Sequence, residues 1–261
     1  MTVVAEPLRL AESLRRTPLT SLAVLVVIDG TLAPIVDNPD AAVVPDDTLQ
    51  ALQQLSERAG TVGVVSGRSL EAAQRLVPLE GIWVAAAHGM HVRTPEGDEE
   101  VCEVARAARP ELDTAAVLAQ TVGWKFEDKG HSLTVHFRHV ASPELTAKGM
   151  RAQMSTVLDP RRVAIHDARM ALEIRPAGAR TKAWAVRHII DSVPGLQQVL
   201  YIGDDRTDLD AFAALAEVPG ATCVAVGSSE APEELLEAAD AVLEAQPDVG
   251  VLLRGLLAGQ P

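Results

Sequence analysis

The stretch A-V-L-V-V-I-D-G-T-L, residues 23 to 32, joins an unbroken apolar run to an abrupt polar end at Asp29-Gly30-Thr31. Continuous Val, Leu and Ile are typical of a strand covered on both faces, as in a parallel sheet. Open α/β sheets place their ligand chemistry at the carboxyl ends of such strands. By itself the stretch favours only a strand that stops at an Asp-Gly turn. Whether its polar end has a functional role depends on the rest of the chain.

Apolar segments alternate with helical patterns on both sides of this stretch. Residues 61–65 and 82–87 are predicted strands, and helices begin after Pro45 and at Ser69, whose hydroxyl can cap the helix that follows. The same alternation returns after Pro176, with predicted helices at 181–190, 208–215 and 249–257 and strands at 198–202 and 221–226. Strand–helix–strand order predicts a doubly wound parallel sheet.

The middle of the chain follows a different pattern. Helices are predicted at 112–122 and 142–158, and strands at 124–128, 132–140, 163–166 and 170–174, with a turn at 166–169. Neighbouring strands without crossover helices are typical of an α+β fold. We therefore expect a parallel-sheet core in residues 1–104 and 177–261, interrupted by an inserted α+β cap domain in residues 105–176.

Composition narrows the class of protein. The 261 residues are 48% hydrophobic with a formal net charge of -13, which argues against broad nucleic-acid or anionic-membrane surfaces. Cys102 and Cys223 lie far apart without metal-ligand spacing, so both are expected to be reduced. The sequence shows neither a signal peptide nor a membrane span, and it predicts a cytoplasmic location.

Polar residues end four of the core segments. They are Asp29-Gly30-Thr31, Ser66-Gly67-Arg68, the Lys182 region and residues 203–208, which include Asp204, Asp205 and Asp208. Parallel strand ends converge at one sheet edge, so these groups are expected to meet. Clustered carboxylates call for a cation, and hard oxygen ligands favour Mg²⁺. A hydroxyl, backbone amides and a lysine beside that ion would hold a phosphoryl group, which points to phosphoryl chemistry.

This ordered set resembles the haloacid dehalogenase-type phosphatases, and in detail the trehalose-6-phosphate phosphatases. The segments that carry the resemblance are I-D-G-T-L-A-P-I-V (28–36), V-V-S-G-R-S-L (64–70), E-D-K-G-H-S-L-T-V-H-F-R (127–138), L-E-I-R-P (172–176) and Y-I-G-D-D-R-T-D-L-D-A-F (201–212). The resemblance implies a haloacid dehalogenase-like core and a phosphoric monoester hydrolase that converts trehalose 6-phosphate and water to trehalose and phosphate, in trehalose biosynthesis.

The resemblance also implies roles for individual residues. In the core, Asp29 is the general acid/base and Ser66 contacts the phosphoryl group, with Lys182 also catalytic and Arg68 substrate-binding. Asp204 binds Mg²⁺ together with Asp29, supported by Asp205 and Asp208. In the cap, three residues hold sugar hydroxyls: Glu127, Lys129 and Glu173. The partners implied are a small sugar phosphate and a trehalose-6-phosphate synthase, with neither nucleic acid nor membrane.

The first motif departs from the family's pattern at its most important position. The family has Asp-x-Asp-Gly-Thr, whose first Asp is the nucleophile and a magnesium ligand, and this chain has Val27 there. Moving the register so that Asp29 becomes the nucleophile would break the match of Gly30-Thr31-Leu32. Lys182 also lies one residue beyond the expected lysine, and Leu209 replaces a usual Glu. A valine cannot attack phosphorus or bind a metal ion, so magnesium binding is expected to be weakened or lost.

Two hypotheses of different classes follow. The first is a sugar-phosphate phosphatase that keeps its activity by another route, and the retained Asp29 and Asp204 favour it. The second is a catalytically silent relative that binds a sugar phosphate or a partner enzyme as a sensor or scaffold, and Val27 favours it. The cap residues are compatible with both, because they bind sugar without taking part in the chemistry.

Overall fold

The computed structural model describes residues 4–36, 38–137, 140–168, 170–229 and 231–258. The chain forms two compact units, Met1–Glu99 with Thr181–Pro261, and Glu100–Arg180. We call the first the core and the second the cap. The domain limits at 104/105 and 176/177 that we infer from the sequence stay predictions.

Strands and helices are numbered in chain order. The strands are β1 (Leu22–Val27), β2 (Thr61–Val65), β3 (Trp83–Ala86), β4 (His91–Arg93), β5 (Glu99–Val101), β6 (Lys125–Asp128), β7 (Leu133–His136), β8 (Val163–Ala168), β9 (Ala171–Pro176), β10 (Gln198–Gly203), β11 (Ala221–Val226) and β12 (Ala241–Leu243). The helices are α1 (Pro7–Leu14), α2 (Asp46–Ser56), α3 (Leu70–Leu76), α4 (Glu103–Ala107), α5 (Arg109–Val122), α6 (Pro143–Val157), α7 (Lys182–Ser192), α8 (Asp208–Leu215), α9 (Glu233–Ala238) and α10 (Pro247–Leu257).

An eight-stranded sheet has the order β12-β11-β10-β1-β2-β3-β4-β5. The strands from β12 to β3 pair in parallel, and β4 runs antiparallel to β3. Strand β1 lies in the middle of the parallel part, between β10 and β2. The expected α/β fold with a parallel sheet is therefore confirmed.

Side chains of β1 alternate between two apolar layers. Leu22, Val24 and Val26 enter a layer shared with α1, α2, α3 and α10. Leu25 and Val27 enter the opposite layer, which α7, α8 and α9 complete. Every residue of β1 is buried, as a strand covered on both faces requires. This alternation fixes Val27 on the side of the sheet that α7 and α8 cover.

The cap contains a four-stranded antiparallel sheet with the order β6-β7-β9-β8. Helices α5 and α6 cover one face, where Leu133, Val135, Leu172 and Ile174 are buried in a shared apolar cluster. The opposite face carries polar side chains, because successive residues of a strand point to opposite sides. The cap residues inferred from the sequence lie on or beside this polar face.

Some local predictions differ from the structure. Residues 166–168 form no turn, because β8 continues to Ala168 and pairs with Ala171; the chain reverses after it, and Met170 adopts a positive φ of 50°. The strand expected at 132–140 is shorter, since β7 ends at His136. Parts of the predictions fall on Arg138 and Arg169, which lie outside the described residues. Among the helices described, none has the length and apolar character needed to cross a membrane.

Candidate active site

The loop after β1 is held in place by a residue from the other end of the chain. Within the loop, the Gly30 amide donates to the Ala33 carbonyl at 2.8 Å. From the segment before α10, Gln246 Nε2 donates to the carbonyls of Thr31 at 3.0 Å and Leu32 at 2.8 Å. These bonds fix the polar end of β1 in one conformation.

Gly30 lets the Asp204 carboxylate lie directly against the loop. A Cβ built on Gly30 would lie 1.8 Å from Asp204 Oδ2, and Gly30 has a φ of +73°, which glycine adopts at little cost. The buried hydroxyl of Thr31 donates to Asp204 Oδ1 at 3.0 Å. The Asp-Gly-Thr sequence therefore joins the end of β1 to the end of β10.

Val27 is an apolar side chain at the end of the central strand. It is 4% exposed and pairs in register with Val65 of β2, and both side chains belong to the same apolar layer. That layer is the one covered by α7 and α8, the helices that begin with Lys182 and Asp208. The position implied for the nucleophile is thus part of the hydrophobic core in this chain.

Asp29 and Arg68 form a bidentate ion pair. Arg68 Nε donates to Asp29 Oδ2 at 2.8 Å, and Nη2 donates to Oδ1 at 2.6 Å and to the Pro39 carbonyl at 3.0 Å. Ser66 lies next to the pair, and its buried Oγ accepts a hydrogen bond from the Arg68 amide at 3.1 Å. The structure therefore brings Asp29, Ser66 and Arg68 together, with the guanidinium directed to Asp29.

Asp208 organises the opposite side of the site. Its Oδ1 accepts hydrogen bonds from Lys182 Nζ at 2.7 Å and Tyr201 Oη at 2.6 Å. Its Oδ2 accepts from the amides of Asp204 at 3.1 Å and Asp205 at 3.0 Å. Four donors to one fully buried carboxylate give Asp208 a positioning role, and they hold Lys182 beside the other two carboxylates.

Burial and neighbouring charges shift the pKa values of these groups. Burial lowers the pKa of Lys182, but the negative charges of Asp208, Asp204 and Asp205 outweigh it, so the net pKa is raised and the amine stays charged. For Asp204, burial and then repulsion from Asp208 raise the pKa to about 7, against the lowering by Lys182 and Thr31. A carboxyl that titrates near neutral pH is typical of functional sites.

The carboxylates of this site do not fit a magnesium site well. Asp29 is bound to Arg68, Asp208 is occupied by its four donors, and the exposed Asp205 accepts from Thr207 Oγ1 at 3.3 Å. Within the described ranges, no cluster of three or more His, Cys, Asp or Glu side chains is placed to hold a metal ion. Of the four acidic residues predicted to bind magnesium, Asp204 is the one best placed to contact a bound molecule.

The cap residues form a second group. Glu173 is buried, its Oε1 accepts from Ser132 Oγ at 3.0 Å, and Lys129 Nζ lies 3.7 Å from the same oxygen. Glu127 is more exposed, and its carboxylate lies 4.0 Å from His136 Nε2. Carboxylates, an ammonium group and hydroxyls on one surface suit the hydroxyls of a sugar.

The chain is similar to known proteins over most of its length. The family described as Trehalose-phosphatase matches residues 25–238. The chain belongs to the trehalose-phosphatase family. Its relatives include trehalose-phosphate phosphatases of Mycobacterium marinum, 33% identical over 217 residues, and Mycobacterium tuberculosis, 34% identical over 199 residues. These alignments cover 80% and 73% of this chain, and 54% and 50% of the relatives, so the chain spans about half the length of the curated relatives it matches.

Solved structures share the fold. The C-terminal domain of C. albicans trehalose-6-phosphate phosphatase has a TM-score of 0.80 at 23% identity, over 99% of each chain. An Aspergillus fumigatus trehalose-6-phosphate phosphatase has a TM-score of 0.67 at 24% identity, over 100% of each chain. A haloacid dehalogenase-like hydrolase from B. subtilis has a TM-score of 0.62 at 15% identity, over 91% of this chain and 99% of that chain. The predicted haloacid dehalogenase-like fold is confirmed, and phosphatases with this fold generally use Mg²⁺.

Two residues of the candidate site, Tyr201 and Gln246, were not predicted from the sequence. Tyr201 lies inside an apolar strand. Because a buried tyrosine hydroxyl usually has a hydrogen-bond partner, a tyrosine in such a strand is a signal that a polar group lies nearby. Gln246 has no comparable signal, because its importance comes from a contact 215 residues away along the chain. Leu209, which the motif resemblance aligns with a usual Glu, is partly buried against the α7/α8 layer.

Proposed function

We propose that this chain is a catalytically silent member of the trehalose-phosphatase family that binds trehalose 6-phosphate, or a similar disaccharide phosphate, as a sensor. The observation that carries the proposal is Val27, a buried aliphatic side chain at the position of the family's nucleophile. An aspartyl-phosphate cannot form there, because valine has no group that attacks phosphorus.

The remaining groups support binding of a phosphorylated ligand. Lys182 stays charged, and Ser66 adds a hydroxyl beside the loop after β1. Asp29 is paired with Arg68, so it is a poor substitute nucleophile in this arrangement. We propose that Mg²⁺ binds weakly, since one first-motif carboxylate is missing and the others have partners.

In the cap, we propose that Glu127, Lys129 and Glu173 hold the sugar hydroxyls. Their grouping on one unit supports this assignment. A trehalose-6-phosphate synthase is the partner that a sensor of this ligand would act on. A reducing compartment such as the cytoplasm suits the two free, buried thiols of Cys102 and Cys223.

Phosphate release from trehalose 6-phosphate with Mg²⁺ tests the proposal, comparing the native chain with Val27→Asp. We expect the native chain to be inactive and Val27→Asp to release phosphate at least about 10³-fold faster, because loss of a nucleophile costs up to about 10⁶-fold in a serine protease. The matched control is Val27→Asn, which adds a polar group of the same size without a nucleophile and should stay inactive.

Equal turnover by the native chain and Val27→Asp would overturn the proposal and favour the alternative, a phosphatase in which another group attacks phosphorus. The retained Asp29 and Asp204 are the observation behind that alternative. If neither protein hydrolyses the ester, calorimetric titration with trehalose 6-phosphate decides, since a silent sensor must still bind it.

The cap assignment gives a separate prediction. Glu127→Ala and Lys129→Ala should each weaken the affinity for trehalose 6-phosphate about tenfold, because hydrogen bonds to charged groups contribute about 1.5–3 kcal/mol. Glu144→Ala and Lys148→Ala on α6 are matched controls, since both residues are exposed on the helical side of the cap. If both test variants keep their affinity and melt like the native chain, the assignment of Glu127 and Lys129 to sugar binding is wrong.

A further inference from the structure

A row of polar side chains crosses the cap sheet on the face away from α5 and α6. The register places Glu127 opposite Thr134, Thr134 opposite Glu173, and Glu173 opposite His166. Residues directly opposite in antiparallel strands project from the same face. Glu127, Thr134, Glu173 and His166 therefore form one continuous row over all four strands, which we call the cap strip.

Thr134, near the middle of the cap strip, has an unusual environment. It is 5% exposed, and its Oγ1 has no hydrogen-bond partner among the residues that the structure describes. A buried hydroxyl without a partner costs about 1–3 kcal/mol, and most buried polar groups in native proteins have one. Valine has nearly the same shape and an equal preference for strands, so packing alone does not account for a threonine here.

The neighbours of Thr134 favour a particular kind of ligand. The carboxylates of Glu127 and Glu173 flank it on either side and would repel a phosphate group. Carboxylates accept hydrogen bonds from sugar hydroxyls, and a threonine hydroxyl both donates and accepts. His166 is an exposed residue of β8, and desolvation of its ring followed by the charge of Arg175 lowers its pKa, so its neutral ring also offers one donor and one acceptor. This chemistry suits an uncharged ring with several hydroxyls.

We propose that the Thr134 hydroxyl hydrogen-bonds a hydroxyl of the unphosphorylated sugar ring, which makes Thr134 a specificity-determining residue of the cap strip. This inference rests on the proposed function, because it assigns one more contact to the same disaccharide phosphate. Thr134 is assigned independently of Glu127, Lys129 and Glu173, because its buried hydroxyl has no hydrogen-bond partner among the described residues.

Thr134→Val tests the inference, because it removes the hydroxyl and keeps the shape. Calorimetric titration with trehalose 6-phosphate should show affinity about fivefold to tenfold weaker, the usual effect of one neutral hydrogen bond. The melting temperature of the ligand-free protein should stay equal or rise by a few degrees, because the variant no longer buries an unsatisfied hydroxyl. Thr134→Ser should keep affinity within about twofold. Thr114→Val, at an exposed position on α5, should change neither quantity.

The outcomes separate the two proposals. If the native chain binds trehalose 6-phosphate and Thr134→Val binds it equally well, the inference is wrong and the proposed function stands. A lower melting temperature of Thr134→Val would assign the hydroxyl a structural role and overturn the inference. Inorganic phosphate serves as the second probe, and a weaker phosphate affinity in Thr134→Val would contradict the assignment to the sugar ring. If the native chain does not bind trehalose 6-phosphate, the proposed function fails and the inference fails with it.

Discussion

Asp208→Ala is expected to lower the free energy of unfolding by about 3–5 kcal/mol. The variant removes the acceptor of the Lys182 ammonium group and the Tyr201 hydroxyl, both of which are buried. It also removes the acceptor of the Asp204 and Asp205 amides. A buried lysine without its partner must either lose its proton or stay charged in a poorly solvated place, and both options destabilise the fold.

Urea denaturation at pH 7 measures this loss. Asp210→Ala is the matched control, since it makes the same change in the same helix at an exposed position, and it should alter stability by less than about 0.5 kcal/mol. The double variant Lys182→Met/Asp208→Leu should recover part of the stability, because it removes both charges together. A loss below about 1 kcal/mol for Asp208→Ala would contradict the view that Asp208 organises the site.

Asp204 is expected to make stability fall as the pH rises from about 4 to about 7. Its pKa is raised to about 7 in the folded protein, mainly by burial, against about 3.9 in the unfolded chain. Between these values the folded state binds more protons than the unfolded state, so the free energy of unfolding decreases with rising pH. The total contribution is about 2–4 kcal/mol and is complete above pH 7.

Asp204→Asn should therefore gain stability over the native chain at pH 8 and lose that advantage at pH 4. The amide oxygen can still accept the hydrogen bond from Thr31 Oγ1, so the variant isolates the charge. Thermal melts at several pH values in the absence of divalent ions give the comparison. Asp205→Asn makes the same chemical change one residue further on, at an exposed position, and serves as the reference. A stability difference between Asp204→Asn and the native chain that is constant from pH 4 to 8 would contradict the argument.

The sequence was sufficient for the core because its strands are long apolar runs. Residues 22–27 read as a strand covered on both faces, and β1 is buried throughout. Three-residue strands such as β4, β5 and β12 contain too few residues to show a period, and they were not predicted. The end of β8 was misread as a turn, since His166 and Asp167 are polar residues on a partly exposed strand.

The site was less predictable than the fold, because its geometry depends on contacts between distant residues. The motifs indicated that Asp29, Ser66 and Asp204 belong together, but not that Arg68 is directed to Asp29. The roles of Tyr201 and Asp208 depend on burial, which spacing does not reveal.

The bond from Gln246 to the loop after β1 also bears on when the site forms during synthesis. Gln246 follows Thr31 by 215 residues, and Asp204 follows Thr31 by 173. A chain made from its N-terminus completes β1 before these residues are added, so the loop lacks the two contacts until residues 204 and 246 have left the ribosome. Newly made chains should therefore be unable to bind ligand until residue 246 has left the ribosome, and a fragment that stops before α10 should bind it poorly.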